Sequence, residues 1–451
     1  MNQSVATVFE WEKYPYVLGP RNSFTNRTFS LTKIFLDTLE MIDPDQKCFI
    51  ITRDRIRVKQ QVGVIRIDGF TIQIFPKLFK DRFLEHQSII ARNLAVMLSY
   101  SLIPFSQVGM AGLDEEDLDL LEIFIHMYAT NLLSLLSHWQ SREYLTKREP
   151  LRFVQERILT REYWNPARLH IIPCQFHKFS QDTLINRTLK YCSTLMLRQT
   201  RNYKTVSLLR QILLILEPVE YTSVTVHEVR HIQINRLNRK YAPFIKFCEF
   251  YLSHTTIALQ ASTTEIFSLV ISMDKIFESF IAGIITHHPH ILPKGITCKT
   301  QYHAGHLALD HKEKGLFRLK PDIVLFQKKV LAVIDTKYKL LSDARTYENV
   351  SQSDVYQMYA YGAKTGADKI MLLYPDDGDS TYLNWKMEYD NGRRRDLYIR
   401  SVTLSIDLIK ELDLFIKQMS FYLGELCQEN IEFHADLNDI TEPAALSLHS
   451  T

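Results

Sequence analysis

Asp322, Asp335 and Lys337 are residues whose types and spacing could do chemistry together. They lie in Leu319–Leu340, LKPDIVLFQKKVLAVIDTKYKL, where two short runs rich in Val, Ile, Leu and Phe flank the polar Gln327, Lys328 and Lys329. That pattern reads as a β-hairpin. With Lys328 and Lys329 as its turn, Asp322 sits directly opposite Asp335. Facing side chains of an antiparallel pair have Cβ atoms about 5 Å apart, and two facing carboxylates repel unless a cation lies between them. A divalent metal is such a cation. Alternation along the strand puts Asp335 and Lys337 on one face and Thr336 on the other, so one edge of the hairpin collects two carboxylates and an ammonium. Hydrolysing a phosphodiester needs a nucleophilic water, an electrophile for the charge growing on phosphate, and a donor near both. Carboxylates holding Mg²⁺, a metal-bound or lysine-contacted water, and the ammonium are groups of those kinds.

The surrounding elements must hold this edge in place. Both faces of the hairpin are apolar, Val324, Phe326, Leu331 and Val333 on the acidic side and Ile323, Leu325, Ala332 and Ile334 on the other, which predicts a sheet centre with helices above and below. Upstream, a helix through Phe267, Ile271, Phe277, Phe280 and Ile284 places Glu278 among apolar neighbours, where a carboxylate needs a partner. Strand-like pieces follow at Cys298–Tyr302 and Leu316–Leu319. Downstream, a helix from Ser351 to Lys364 carries Gln357 and Tyr361 four apart on one face, and the next strand is Lys369–Tyr374, closed by Pro375-Asp376-Asp377-Gly378. This order makes an α/β unit.

Earlier in the chain, Tyr16 to Lys77 reads as strands. Its clearest signal is VGVIRIDGFTIQIFPK, a hairpin turning at Asp68-Gly69 and ended by Pro76. From Phe79 to Tyr144 the period is helical: one helix from Phe83 to Leu102, then the acidic start Leu113-Asp114-Glu115-Glu116-Asp117 of a buried helix containing His126 and His138. No second ligand falls one turn from either histidine, so both are read as ordinary core or surface residues. Arg142, Tyr144, Lys147, Arg148, Arg152, Arg157, Arg161, Tyr163, Trp164 and Arg168 form a basic, aromatic segment. It suits phosphates and bases, or else a solvated face partnered by Glu143, Glu149, Glu156 and Glu162. Further helices span Asp182–Leu216 and Tyr241–Phe267.

The 451 residues, 46% hydrophobic, allow two or three domains, and a net charge of +3 neither demands nor excludes a nucleic-acid partner. Six cysteines without a C-x-x-C argue against a zinc ribbon or a disulfide scaffold and for reduced thiols in a cytoplasmic protein. No signal sequence or long apolar run calls for a membrane. The expected class is α+β and multidomain: a β-rich N-terminal domain (1–78), a mainly helical region with the basic segment (79–262), an α/β domain with a central mixed sheet (263–427), and a polar tail (428–451).

Pro321-Asp322 followed by Asp335-Thr336-Lys337 on paired apolar strands is similar to the signature of PD-(D/E)XK nucleases, and Gln357 to Tyr361 resembles the Q-x-x-x-Y element of their RecB-like branch. More of the chain resembles the McrC family, the nuclease subunit of McrBC-type modification-dependent restriction systems. The likeness rests on VGVIRIDGFTIQIFPK, the basic segment ending in FVQERI, Cys174-Gln175-Phe176 with Asp182 and NRTLK, Met273 to Phe280, PDIVL and IDTKYK. One departure is Glu156 in FVQERI, where that family commonly has glycine.

The resemblance implies a Mg²⁺-dependent DNA endonuclease subunit. Asp322, Asp335 and Glu278 would hold the metal, Lys337 would orient or help deprotonate water, and Gln357 and Tyr361 would position DNA or the metal shell. It also implies a partner, a McrB-like AAA+ GTPase hexamer that recognises modified double-stranded DNA and translocates it while the N-terminal part of this chain docks on it. The absence of a G-x-x-x-x-G-K-[ST] loop fits that division of labour, since GAKTG at Gly362–Gly366 lacks the preceding glycine. Two alternatives are a non-cutting adaptor and activator of the motor, and a nuclease subunit acting on a fixed sequence.

Overall fold

The computed structural model describes residues 5–80, 83–101, 120–160, 170–254, 266–339, 341, 350–376, 381–389, 392 and 394–427. Its N-terminal hairpin turns where the sequence predicts. Asp68 and Gly69 both have positive φ, 48° and 77°, the mirror-image turn whose twist suits a hairpin, and Gln61–Ile67 pairs with Phe70–Phe75. Val5–Phe9 extends this pair in parallel, and Ile266–Ser272, far along the chain, pairs antiparallel with the other edge. That last strand corrects the helix expected through Phe267 and Ile271. Phe267, Leu269 and Ile271 alternate onto one buried face, with Ser268 and Val270 on the other, and the helix begins at Met273. A spacing of four fits both periods, so only the intervening Leu269 separates them. Gly63, at φ 145°, lies where a Cβ would come within 1.9 Å of the Leu269 carbonyl oxygen, so glycine admits the late strand at this edge.

A five-stranded sheet packs beside this one, and with it the helix Lys33–Ile42 inside the stretch read as strands. Thr32 caps that helix by accepting from Phe35 N (3.2 Å), and Phe35 and Leu39 bury its inner face. The helices Phe83–Ser101, Leu120–His138, Leu184–Gln199, Tyr203–Ile215 and Ala242–His254 follow. His126 is buried with Nδ1 2.9 Å from Thr205 Oγ1, a satisfied core histidine, and His138 Nδ1 lies 2.9 Å from the Ser134 carbonyl on the surface. The acidic start at Leu113–Asp117 and the tail 428–451 lie outside the described residues, as do Arg161, Glu162, Tyr163, Trp164 and Arg168.

The described part of the basic segment is an exposed antiparallel ribbon, Glu143–Leu151 against Ile172–Ser180. Glu156 beside it has φ 51°, the left-handed conformation a glycine would take without strain. Its carboxylate accepts from His177 N at 2.9 Å and lies 2.8 Å from His177 Nδ1, which ties the strained residue to the ribbon. At NRTLK, Arg187 donates to both carboxylate oxygens of Asp182 (2.7 and 2.6 Å), and Asn186 donates to the Ser141 and Gln181 carbonyls.

The last sheet has six strands in the order Thr297–Thr300, Ile323–Phe326, Val330–Thr336, Lys369–Asp376, Arg394–Thr403, Tyr382–Glu388. It is mixed, as expected: Val330–Thr336, Lys369–Asp376 and Arg394–Thr403 run parallel and the others pair antiparallel. Val324, Val333, Ile370 and Leu372 face one core with Met358 and Tyr361 of the helix Gln352–Thr365. Ile323, Leu325, Ala332 and Ile334 face the other, with Ile276 and Phe280 of the helix Met273–His287 and Phe415 of the helix Leu412–Cys427. The fold is thus mixed α+β, with ten α-helices among the described residues, none long and apolar enough to cross a membrane. Gly366, at φ 75°, ends the Gln352–Thr365 helix, so GAKTG is a helix C-terminus.

Candidate active site

The hairpin register places the two aspartates as the sequence suggests. Ile323 pairs with Ile334, Val324 with Val333 and Leu325 with Ala332, and one step outward Asp322 faces Asp335. A bulge at Leu325/Phe326 takes up the three-residue turn Gln327–Lys329 without disturbing this inner register. Val330–Thr336 lies between two strands, and Lys337 N donates to Leu373 O (2.9 Å), so the backbone carrying Asp335 and Lys337 is fixed on both sides.

Asp335 is 2% exposed. Lys337 Nζ forms an ion pair with its Oδ2 at 2.6 Å, and no other described group donates to that oxygen. Burial, then the charge of Asp322, push the Asp335 carboxyl up to about 7 against the pull of Lys337. Glu278 reaches the same end of the sheet from the Met273–His287 helix. Burial, then Asp322 and Asp335, push it too up to about 7. Asp322 Oδ2 is itself committed to Thr336, accepting from its backbone N and its hydroxyl at 2.8 Å each. Thr336, expected on the opposite face, thus brings its hydroxyl to the acidic edge and fixes one of its members.

Burial works against the charge of Lys337, but Asp335, Asp354 and Asp322 outweigh it and hold the ammonium above the ordinary lysine range. Nζ also donates to Gln357 Oε1 (2.8 Å), and Gln357 Nε2 donates to the Tyr361 hydroxyl (2.7 Å). The one-turn spacing of Gln357 and Tyr361 thus becomes a chain of hydrogen bonds ending on the lysine.

All six residues singled out by sequence come together at this end of the sheet. Asp354 and Asp274 belong beside them and were missed. Asp354, 6% exposed, accepts from Lys339 Nζ (2.7 Å), and it stands one turn before Gln357, so the same i, i+3 reasoning reaches it. Asp274, one turn before Glu278, accepts from Gln60 Nε2 (2.8 Å), which also donates to the Tyr338 carbonyl (3.1 Å).

Among the described residues no group of three His, Cys, Asp or Glu side chains is arranged to hold a metal ion. The donor set nevertheless fits a hard divalent cation. Glu278, Asp322 and Asp335 offer oxygen only, they repel one another, and among the described residues the buried Asp335 Oδ2 has Lys337 alone to offset its charge. Two of them meet that repulsion by holding protons near neutral pH, and a cation relieves it by replacing those protons.

A family model described as McrBC 5-methylcytosine restriction system component matches residues 56–375. No curated protein matches the chain. A chain of the refined half-complex from the tetradecameric assembly of Thermococcus gammatolerans McrB AAA+ hexamers with bound McrC is similar in fold. It is 18% identical, with a TM-score of 0.64 over 94% of this chain and 100% of that one. A chain of the Thermococcus gammatolerans McrBC complex is 19% identical, covering 63% of this chain and 88% of its own, with a TM-score of 0.47.

Proposed function

The chain belongs to the McrBC 5-methylcytosine restriction system component family, and we propose that it is the Mg²⁺-dependent endonuclease subunit of such a system. It would cut modified double-stranded DNA when assembled with a McrB-like AAA+ GTPase hexamer. The observation that carries this reading is Asp335, a buried carboxylate gathered with two others, whose Oδ2 has the Lys337 ammonium as its one partner among the described residues. Glu278, Asp322 and Asp335 would hold the metal, which when bound neutralises charge on the scissile phosphate. Thr336 keeps Asp322 aimed at the site. Lys337, cationic in this setting, orients the attacking water and faces the phosphate, while Gln357 and Tyr361 hold its side chain in place. The solved assembly of similar fold contains McrB hexamers, and docking of the N-terminal part on such a motor is the partner half of the proposal.

With the motor, GTP, Mg²⁺ and methylated duplex, the wild-type complex should cut, and Asp335→Ala and Lys337→Ala should each lower cutting by about a thousandfold or more. Circular dichroism and GTP hydrolysis by the motor should be unaltered. Undiminished cutting by either variant overturns the site. A wild-type complex that stimulates GTP hydrolysis and leaves both methylated and unmethylated DNA intact makes the chain an adaptor.

A further inference from the structure

The antiparallel pair of Thr297–Thr300 and Ile323–Phe326 does not end with the sheet. Gln301 N donates to Asp322 O (2.7 Å), Tyr302 N to Pro321 O (3.2 Å) and Ala304 N to Leu319 O (3.0 Å), which carries the pairing through a bend into a second hairpin, Gly305–Leu309 with Gly315–Leu319. This is one continuous ribbon, buried in the sheet on one side of Asp322 and solvent-exposed on the other. Its outer half is rooted beside the helix of Gln357 and Tyr361, with Gly305 against Lys364.

The outer half is unusual for a free surface. Leu307, Leu309 and Phe317 are 61%, 65% and 73% exposed. Phe317 has φ 54°, a conformation bulky residues rarely adopt, and it faces Leu307 between the pairs His306–Arg318 and Ala308–Leu316. Lys312, Lys314 and Arg318 are exposed and form no ion pair with a described residue. Of the two acids, Asp310 is used inside the turn, accepting from the backbone N of Lys312 and of Lys314 at 2.8 Å each, which leaves Glu313 as the one negative side chain at the tip. An apolar ridge bordered by unpaired cations suits a polyanion that also offers apolar surface.

We infer that this hairpin is an arm that grips the duplex beside the scissile phosphate, with Phe317 and Leu307 pressed into the minor groove and Lys312, Lys314 and Arg318 on the flanking phosphates. The inference rests on the nuclease reading of the site. A duplex with a phosphate at Asp322 and Asp335 must continue past the ribbon's bend. From Asp322 to the turn is about ten residues, roughly 30 Å at ~3.3 Å per residue, a little under one helical repeat of about 34 Å. Apolar wedges in the minor groove with cations on phosphate form a sequence-tolerant grip, which suits a cutter whose target is chosen elsewhere.

The test uses the full-length chain and a fluorescent methylated duplex in EDTA, with anisotropy followed across a salt series. Lys312→Ala/Lys314→Ala/Arg318→Ala should weaken binding by about tenfold or more and flatten the log–log salt slope by about 2 to 3. Leu307→Ser/Phe317→Ser should weaken it about fivefold with the slope unchanged, since it removes no charge. Wild-type binding by both variants overturns the inference, and so does a pair of variants that bind DNA normally but lose self-association in sedimentation. Cutting by the motor complex is scored separately. If the wild type binds but never cuts, the nuclease reading falls while the anisotropy still decides what the hairpin holds.

Discussion

Glu10 and Asp335 are both buried carboxylates, both pushed up to about 7, and in each one oxygen receives no neutral donor among the described residues. Their neighbours differ. Glu10 Oε1 accepts from the Tyr338 hydroxyl (2.7 Å) and from Lys77 N (3.0 Å), neutral donors that fasten the end of the Asp335 strand to the N-terminal sheet. The charges of Asp274 and Lys77 act on Glu10 less than these bonds do, whereas around Asp335 charge comes directly after burial: Asp322 and Asp354 oppose it, and Lys337 supports it. Burial alone therefore does not mark chemistry. Like charges gathered at one point do, because folding gains nothing from assembling them.

The comparison is tested most severely by cutting. Asp335→Ala should lose about a thousandfold or more of the proposed motor-dependent cutting, whereas Glu10→Ala should lose less than about tenfold, because it reaches Lys337 through the neighbouring Tyr338. Equal losses would mean that the Glu10 contact belongs to the chemistry.

Metal affinity gives the next contrast. Glu278 and Asp335 hold protons below about 7, and a Mg²⁺ ion bound as proposed would have to displace them. Apparent affinity, measured by calorimetry on the full chain, should rise with pH up to about 7 and level off above it. Well below 7 it should change by about tenfold per pH unit for each proton released, at most a hundredfold for two. Glu278→Gln should reduce that slope. Glu10→Gln should leave it unchanged, and a flattened slope there would erase the distinction between the two regions.

The sequence reaches this site because its signals are local. The register of Asp322 against Asp335 follows from two apolar runs and a polar turn, and it survives the bulge because the bulge lies on the turn side of Leu325. Gln357 and Tyr361 follow from helical spacing, and Asp354 was within reach of the same rule. Glu10 was not. Its contact to Tyr338 spans 328 positions, and nothing near Glu10 distinguishes it from an ordinary surface glutamate. The strand Ile266–Ser272 failed for a related reason, since its partner strand Gln61–Ile67 lies some two hundred residues earlier and its own pattern is buried on both faces. Local periodicity identifies elements, and long-range pairing decides which of two compatible periods is realised.

The smallest effects are on stability, and they should have opposite signs. Glu10→Ala leaves the buried Tyr338 hydroxyl and Lys77 N without their acceptor, which costs about 2–4 kcal/mol. Asp335→Ala removes a carboxylate that repels Asp322, Asp354 and Glu278, and Lys337 keeps Gln357 as its acceptor, so stability should rise by about 1 kcal/mol at pH 8 without metal. The sign depends on pH. A carboxyl raised in the folded state binds a proton that the unfolded chain has already released, so its favourable contribution is complete below about 4 and is lost as pH rises to about 7. The gain from Asp335→Ala should therefore shrink towards pH 5, where the wild-type carboxyl is protonated and no longer repels. Glu10→Ala should be costly throughout, and most costly at pH 5, where wild-type Glu10 keeps both bonds without bearing a charge. Urea denaturation at pH 5 and pH 8 measures all four values. A loss of stability in Asp335→Ala at pH 8 would show that Asp335 contributes to the fold in the way Glu10 does.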